Sequence, residues 1–199
     1  MKSKFLKNCM ALLAVTFVAG LALSFVNEIT KEPIAAAEEK ARQQAYETVF
    51  KGAQFKSLDN MDELLAQYAV TDAVYTIDDV LAATDENGNI IGYVMSATSL
   101  SGYGGDIKTA VGISTESETI TGFSVLSNSE TAGLGAKCTE DSFTSQFAGK
   151  TAAGITYTKS GAASDSEIDA ISGATVTTNA VTEAVNGALA FYNNVLKEG

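Results

Sequence analysis

Between Val80 and Ser99 the chain reads VLAATDENGNIIGYVMSATS, and the reading of this stretch decides the fold. Two short apolar runs flank DENGN, and Asn87-Gly88 sits where a chain reverses most readily, because both residue types accept positive φ. Strand, turn and strand are predicted. The rhythm returns downstream, where TAVGIS (109–114), the turn residues TESE (115–118) and TITGFSVL (119–126) predict a second hairpin. Beyond it, TEDSFTSQFAGK (139–150) predicts a brief helix with Phe143 and Phe147 at i and i+4. The last periodic stretch, TTNAVTEAVNGALAFYNNVLKE (177–198), predicts an amphipathic helix that lays Val181, Val185, Leu189 and Tyr192 across the sheet.

On the N-terminal side, LDNMDELLAQYAV (58–70) predicts a short helix capped by Asp59 or Asn60, with Met61, Leu64, Leu65 and Tyr68 on one side. Before it, TKEPIAAAEEKARQQAYETVF (30–50) puts Pro33 in the first turn of a stalk-like helix that runs to about Phe50. Helices lead, strands fill the middle and a helix closes the chain, so the fold class is α+β, with an antiparallel-rich sheet packed by helices.

Further upstream, CMALLAVTFVAGLALSFV (9–26) is 18 residues without a charge, long enough to span a hydrocarbon core. Lys2, Lys4 and Lys7 precede it with no acid among them, so a net charge of −11 leaves −14 on the rest of the chain. The positive-inside bias then predicts a single N-terminal transmembrane helix with the N-terminus in the cytoplasm and an extracytoplasmic domain. The expected organisation is residues 1–8 cytoplasmic, 9–27 transmembrane, 28–56 stalk helix and linker, and 57–199 folded domain. A cleaved signal peptide shares the basic start and apolar run, but the small residues Ala35 to Ala37 lie well past that run, which favours the uncleaved anchor. Cys9 lacks a lipobox before it, and at the cytoplasmic edge it could not meet Cys138 outside, so no disulfide within the chain is expected.

Composition excludes several function classes. With no histidine, the usual general base, the Ser-His-Asp arrangement and the commonest metal ligand are all missing. Two cysteines cannot supply a four-thiolate cluster or zinc site. The acidic balance argues against nucleic acid. Redox or group-transfer chemistry in this chain would have to be carried by a non-protein group.

Three stretches of small residues stand out: GYGGDI (102–107), ETAGLG (130–135) and SGAT (172–175). The first reads simply as a turn. In the second, Gly133 and Gly135 allow the backbone to approach a flat or anionic ligand. The third permits a plain N-cap, by Ser172 or Thr175, of a helix starting near Thr177. It equally places a hydroxyl among the unpaired N–H groups at a helix start, which suits a phosphate.

These motifs, their order and the N-terminal anchor resemble the RnfG family, the G subunits of the Rnf ferredoxin:NAD+ oxidoreductase complex of bacteria, whose relatives include the C subunit of the sodium-pumping NADH:quinone reductase. The resemblance implies that residues 57–199 are an FMN-binding domain carrying covalent FMN on Thr175 through a phosphoester. Ser172, Gly173 and Ala174 form the rest of that loop, and Asp169 is the acid before it. It implies a flavin transferase that takes FMN from FAD with magnesium as helper, so that the activating groups belong to another protein. It implies ETAGLG as a flavin loop of Glu130, Thr131, Gly133, Leu134 and Gly135, with Thr131 and Leu134 along the isoalloxazine and Lys137 as a countercharge or a solvated lysine. Two positions depart from the family pattern: Ala132 stands where proline is usual, and LSNSE (126–130) has no histidine. Partners implied are membrane subunits of the complex that carry an iron–sulfur cluster and a second covalent flavin, in the bacterial inner (plasma) membrane. The shorter length favours the Rnf protein over its quinone-reductase relative. Two other readings stay open: a free-standing extracytoplasmic flavin carrier, separable by turnover without membrane subunits, and an anchored binding module without flavin, separable by the mass of Thr175. Cys138 is expected to be a buried, inert thiol.

Overall fold

The computed structural model describes residues 2–68 and 74–197, which fall into two units, one ending at Arg42 and one beginning at Gln43. Ala69-Val70 and Glu198, the predicted ends of two helices, lie outside the described residues.

The first unit lies within α1 (Lys2–Val49), the one helix among the described residues that is long and apolar enough to cross a membrane. Its apolar side chains, Leu12, Leu13, Phe17, Leu21 and Phe25 among them, are exposed. Thr16 and Thr30 hide their hydroxyls on the helix's own carbonyls of Leu12 and Val26, 3.0 and 2.9 Å away. Pro33 lies inside α1, which corrects its placement in the first turn of a separate stalk helix. A proline removes one rung of the hydrogen-bond ladder, and strong helix formers on both sides carry the helix through it.

In the second unit, β1 (Gln54–Ser57), β2 (Tyr75–Thr84), β3 (Ile90–Ser99), β4 (Ile107–Ser114) and β5 (Ile120–Ser127) form one antiparallel meander in sequence order. The β2–β3 hairpin lies where Asn87-Gly88 predicts it, but the Asp85 side chain closes the turn. Its Oδ1 accepts from the N–H groups of Asn87 and Asn89 at 2.9 and 2.8 Å, and only Gly88 takes a positive φ, of 85°. β2 begins five residues before the predicted Val80 because tertiary partners absorb the acids there: Asp78 accepts from Thr98 Oγ1 at 2.6 Å and pairs with Lys108, and Asp79 accepts from Tyr46 Oη. α2 (Met61–Gln67) has Asn60 at its cap position without a side-chain cap bond.

After β5 come a 3-10 turn (Gly135–Thr139), the single-turn α3 (Asp141–Thr144), and two short parallel strands, β6 (Thr156–Thr158) and β7 (Glu167–Asp169). The predicted helix carries Phe143 but ends before Phe147; both rings are buried, with Phe147 stacked on Phe123 at 4.2 Å. α4 (Thr175–Phe191) ends in a π turn (Tyr192–Leu196) and packs on β2, β3 and β4. Its buried face includes the predicted Val181, Val185, Leu189 and Tyr192, and adds Ala180, Ala184, Ala188 and Phe191. Burial of Val181, Val185, Leu189 and Phe191 favours folding by roughly 6–12 kcal/mol before entropy is counted.

The opposite face of the sheet is covered by the end of α1: Tyr46, Val49 and Phe50 pack on Ala83, Val94 and Ala110. Glycines clear this seat. A Cβ on Gly112 would stand 2.6 Å from the Val49 carbonyl oxygen, one on Gly122 would stand 2.7 Å from Val49 Cα, and one on Gly92 would enter the Phe50 ring. Thr121 Oγ1 donates to the Val49 carbonyl at 2.6 Å, satisfying one acceptor that the helix end leaves open. Gly122→Ala pushes on backbone and is expected to cost about 1–3 kcal/mol. Thermal unfolding should show a lower midpoint, and an unchanged one would mean that the helix end does not sit on the sheet in solution.

Among the described residues one buried side-chain oxygen is unsatisfied: Ser96 Oγ, on β3, has no hydrogen-bond partner. Ser96→Ala removes this desolvated hydroxyl with little change in volume and is expected to stabilise the domain by about 1 kcal/mol. A clear loss of stability in denaturant titration would contradict it.

Candidate cofactor site

The site is assembled at the start of α4. β7 ends at Asp169, whose backbone is gripped by the Gln146 side chain: Asp169 N–H donates to Oε1 at 2.6 Å, and Nε2 donates to the Asp169 carbonyl at 3.4 Å. The Asp169 carboxylate accepts from Ala162 N–H at 2.7 Å, fixing the preceding loop. The chain then turns tightly from Ile171 to Ala174, closed by Ala174 N–H on the Ile171 carbonyl at 3.0 Å. Gly173 sits third in this turn with φ 78°, a left-handed conformation that glycine adopts at no steric cost. Thr178, one turn inside the helix, stitches the turn to α4 by accepting from Ile171 N–H and donating to the Ala174 carbonyl, both at 3.0 Å.

Of the two readings of SGAT, the plain side-chain cap is the one the structure removes. α4 begins at Thr175, two residues before the predicted start, and Ala174 occupies the cap position with no side-chain bond. Because Thr178 secures the loop from within, neither Ser172 nor Thr175 is needed to do so. Ser172 is exposed, Thr175 is half-buried, and among the described residues no protein group bonds the Thr175 hydroxyl. The N–H groups of Thr175, Val176 and Thr177 also lack an acceptor among the described residues, which leaves the positive end of the helix open for an anion.

The ETAGLG loop lies against this turn. The Thr131 carbonyl accepts from Leu134 N–H and Ala136 N–H, both at 3.1 Å, so the loop folds on itself around Gly133, whose φ is 76°. Leu134 packs on the SGAT turn: a Cβ on Gly173 would touch Leu134 Cδ2 at 3.4 Å. Glu130 ties the loops together, with Oε1 accepting from Gly104 N–H at 3.0 Å and Oε2 accepting from Thr177 Oγ1 at 2.7 Å. All three small-residue motifs therefore meet. Thr131, Gly133, Leu134 and Lys137 are exposed, and Gly135 is buried. Cys138 is fully buried beneath the loop. Burial and the Glu130 charge push its thiol up to about 11, so it stays protonated at neutral pH.

Apolar exposure concentrates in the same place. Among the described residues outside α1, the exposed large apolar side chains are Val74, Ile90, Leu100, Tyr103, Leu134 and Val176, and the last four lie in or beside these loops. A second acid braces the region, with Glu183 on α4 accepting from Ser101 Oγ, from Ser99 Oγ at 3.3 Å and from Asn179 Nδ2 at 2.6 Å. Sequence reasoning missed Thr177, Thr178, Gln146 and Glu183. The first two had one local signal, hydroxyls two and three positions after Thr175. Gln146 and Glu183 had none, because their partners are 23 and more than 80 residues away in the chain.

The sequence profile of the FMN-binding domain family matches residues 102–190, which begin at the first glycine loop and enclose all three motifs. The G subunit of the Na+-translocating ferredoxin:NAD+ oxidoreductase complex of Acetobacterium woodii is 31% identical over 190 residues, 94% of this chain and 90% of that protein. The G subunit of the ion-translocating oxidoreductase complex of Methanosarcina acetivorans is 40% identical over 109 residues, 55% of each chain, so that match spans about half of the relative's length. Among solved structures, the C subunit of the Na+-translocating NADH-quinone reductase of Parabacteroides distasonis superposes with a TM-score of 0.50 at 27% identity, covering 59% of this chain and 61% of that one.

Proposed function

The chain belongs to the RnfG family, the G subunits of ion-translocating ferredoxin:NAD+ oxidoreductases, and from that membership we propose that it transfers electrons within such a complex through FMN esterified by its phosphate to Thr175. The observation that carries the reading is the pairing, at one helix start, of an unengaged Thr175 hydroxyl with three unpartnered N–H groups. The residues present fit the group: a phosphate finds the N–H groups of Thr175, Val176 and Thr177, and a flat ring finds the exposed Leu134 and its apolar neighbours.

FMN supplies the reversible electron chemistry that no side chain of this protein offers. The chain binds, orients and shields it. The helix N-terminus neutralises phosphate charge, Leu134 and Val176 keep water from one side of the site, and the ester at Thr175 keeps the carrier from diffusing away. Attachment by a flavin transferase would use Thr175 Oγ1 as the acceptor of the FMN phosphoryl group of FAD, with adenosine monophosphate as the leaving group and the transferase supplying the activating groups. Exposed small residues at Ser172 and Gly173 give that enzyme access.

The partners are the other membrane subunits of the complex, among them one with an iron–sulfur cluster and one with a second covalent flavin. The N-terminal lysines, through the positive-inside bias, favour a cytoplasmic N-terminus and residues 28–199 outside the cell membrane. The near-complete alignment with an Rnf-type relative favours this assignment over a quinone reductase. The experiment is peptide mass spectrometry of the chain extracted from native membranes. The peptide containing Thr175 should carry the mass of esterified FMN, and an unmodified peptide from cells that flavinylate other proteins would sink the proposal.

A further inference from the structure

Glu130 is the residue where the three loops meet, and both of its carboxylate oxygens are taken by protein donors. Oε1 holds the N–H of Gly104 at 3.0 Å, and Oε2 holds the hydroxyl of Thr177 at 2.7 Å. The donors lie 26 and 47 residues away in the chain, on the first glycine loop and on the first turn of α4. The glycines around them make room for this carboxylate. A Cβ on Gly135 would overlap Glu130 Oε2 and stand 2.5 Å from Thr177 Oγ1, and a Cβ on Gly102 would come within 3.0 Å of Oε1. Gly135 has no positive φ to explain its identity, so the space is the reason for it.

We propose that Glu130 is a positioning residue: its carboxylate clamps the 102–105 loop and the first turn of α4 to the ETAGLG loop, and so sets where Thr175 is presented. It does this through Thr177, two residues after Thr175, and through Gly104. An acid suits the task because a carboxylate accepts from two donors at once, and charge-assisted hydrogen bonds are the stronger kind. The clamp gives the first glycine motif a purpose that its sequence did not disclose. Gly104 must bring its N–H to Glu130 where a Cβ would run into the Ser129 carbonyl. The inference rests on Thr175 being the attachment residue only for its first readout below.

The test uses the full chain produced in membranes with an active flavin transferase, following the flavin-bearing Thr175 peptide over time and the deuterium uptake of segments 102–106 and 173–178. Glu130→Ala should slow attachment by about tenfold or more, the scale of losing one charge-assisted hydrogen bond, and raise uptake in both segments. Glu130→Gln can accept from Gly104 N–H and donate to Thr177 Oγ1, and should stay within about threefold of wild type in both readouts. Gly135→Ala leaves Glu130 in place but drives its carboxylate off Thr177, so it should reproduce Glu130→Ala. The double variant should be no worse than the worse single one, as for two changes to one interaction. The proposal is overturned if Glu130→Ala is modified at the wild-type rate with unchanged uptake. It is equally overturned if Glu130→Gln is as slow as alanine while uptake stays at wild type, since the charge would then act on the cofactor itself. A wild-type chain that never acquires flavin would defeat the attachment reading instead, and segment uptake would still decide the clamp.

Discussion

Thr175→Ala is expected to remove the covalent flavin completely while leaving the domain folded. The hydroxyl is the one atom that the ester requires, and it makes no hydrogen bond among the described residues, so its loss breaks nothing in the protein. Thr175 is the first helical residue of α4 and only half-buried, and alanine is the better helix former, so stability should change by no more than about 0.5 kcal/mol. Thr175→Ser keeps a hydroxyl at the same place and should be labelled, more slowly because serine lacks the methyl group that restricts its rotamer. Ser172→Ala should still be labelled, because the exposed Ser172 neither caps α4 nor receives the phosphate. Flavin fluorescence of the denatured chain in a gel, together with intact mass and a thermal melt, reads all three variants. Flavin retained on the alanine variant would move the attachment elsewhere and end the case for SGAT.

The second large effect concerns where the domain begins. A chain started at residue 57, where the sequence suggests the folded domain begins, should fail to unfold cooperatively, whereas one started at Gln43 should give a single transition. The shorter chain loses Tyr46, Val49 and Phe50, which are 4%, 1% and 8% exposed, and most of β1, which pairs with β2 from Gln54 to Ser57. Burial of those three side chains favours folding by roughly 5–9 kcal/mol, against about 5–15 kcal/mol for the stability of a typical domain. It also bares the notch at Gly92, Gly112 and Gly122, where no side chain can move in to fill the space. Circular dichroism melts of the two fragments decide the matter. Equal midpoints would show that the end of α1 is an accessory to the sheet and not part of its core.

The two hairpins were legible because their signals are local. DENGN carries its own turn chemistry in Asp85 and Gly88, and β3 runs from Ile90 to Ser99 as its pattern predicts. The last helix was legible for the same reason, since its apolar face repeats along one element. β1, β6 and β7 were not: strands of three or four residues hold too little pattern, and β1 pairs with the far end of β2 across the whole of α2.

At the site the same division holds. The amino-acid sequence by itself determined where the small-residue motifs SGAT and ETAGLG fall and that the chain carries no histidine, because these are matters of composition and order. Only the tertiary structure decided how they work together. That α4 starts at Thr175, that Thr178 frees the neighbouring hydroxyls from capping, and that Glu130 joins three loops all depend on bonds that close after the chain has collapsed. A motif lists donors and acceptors, but a hydrogen bond needs both within about 3 Å, and for residues 26 or 47 apart that distance is set by the packing of the whole domain.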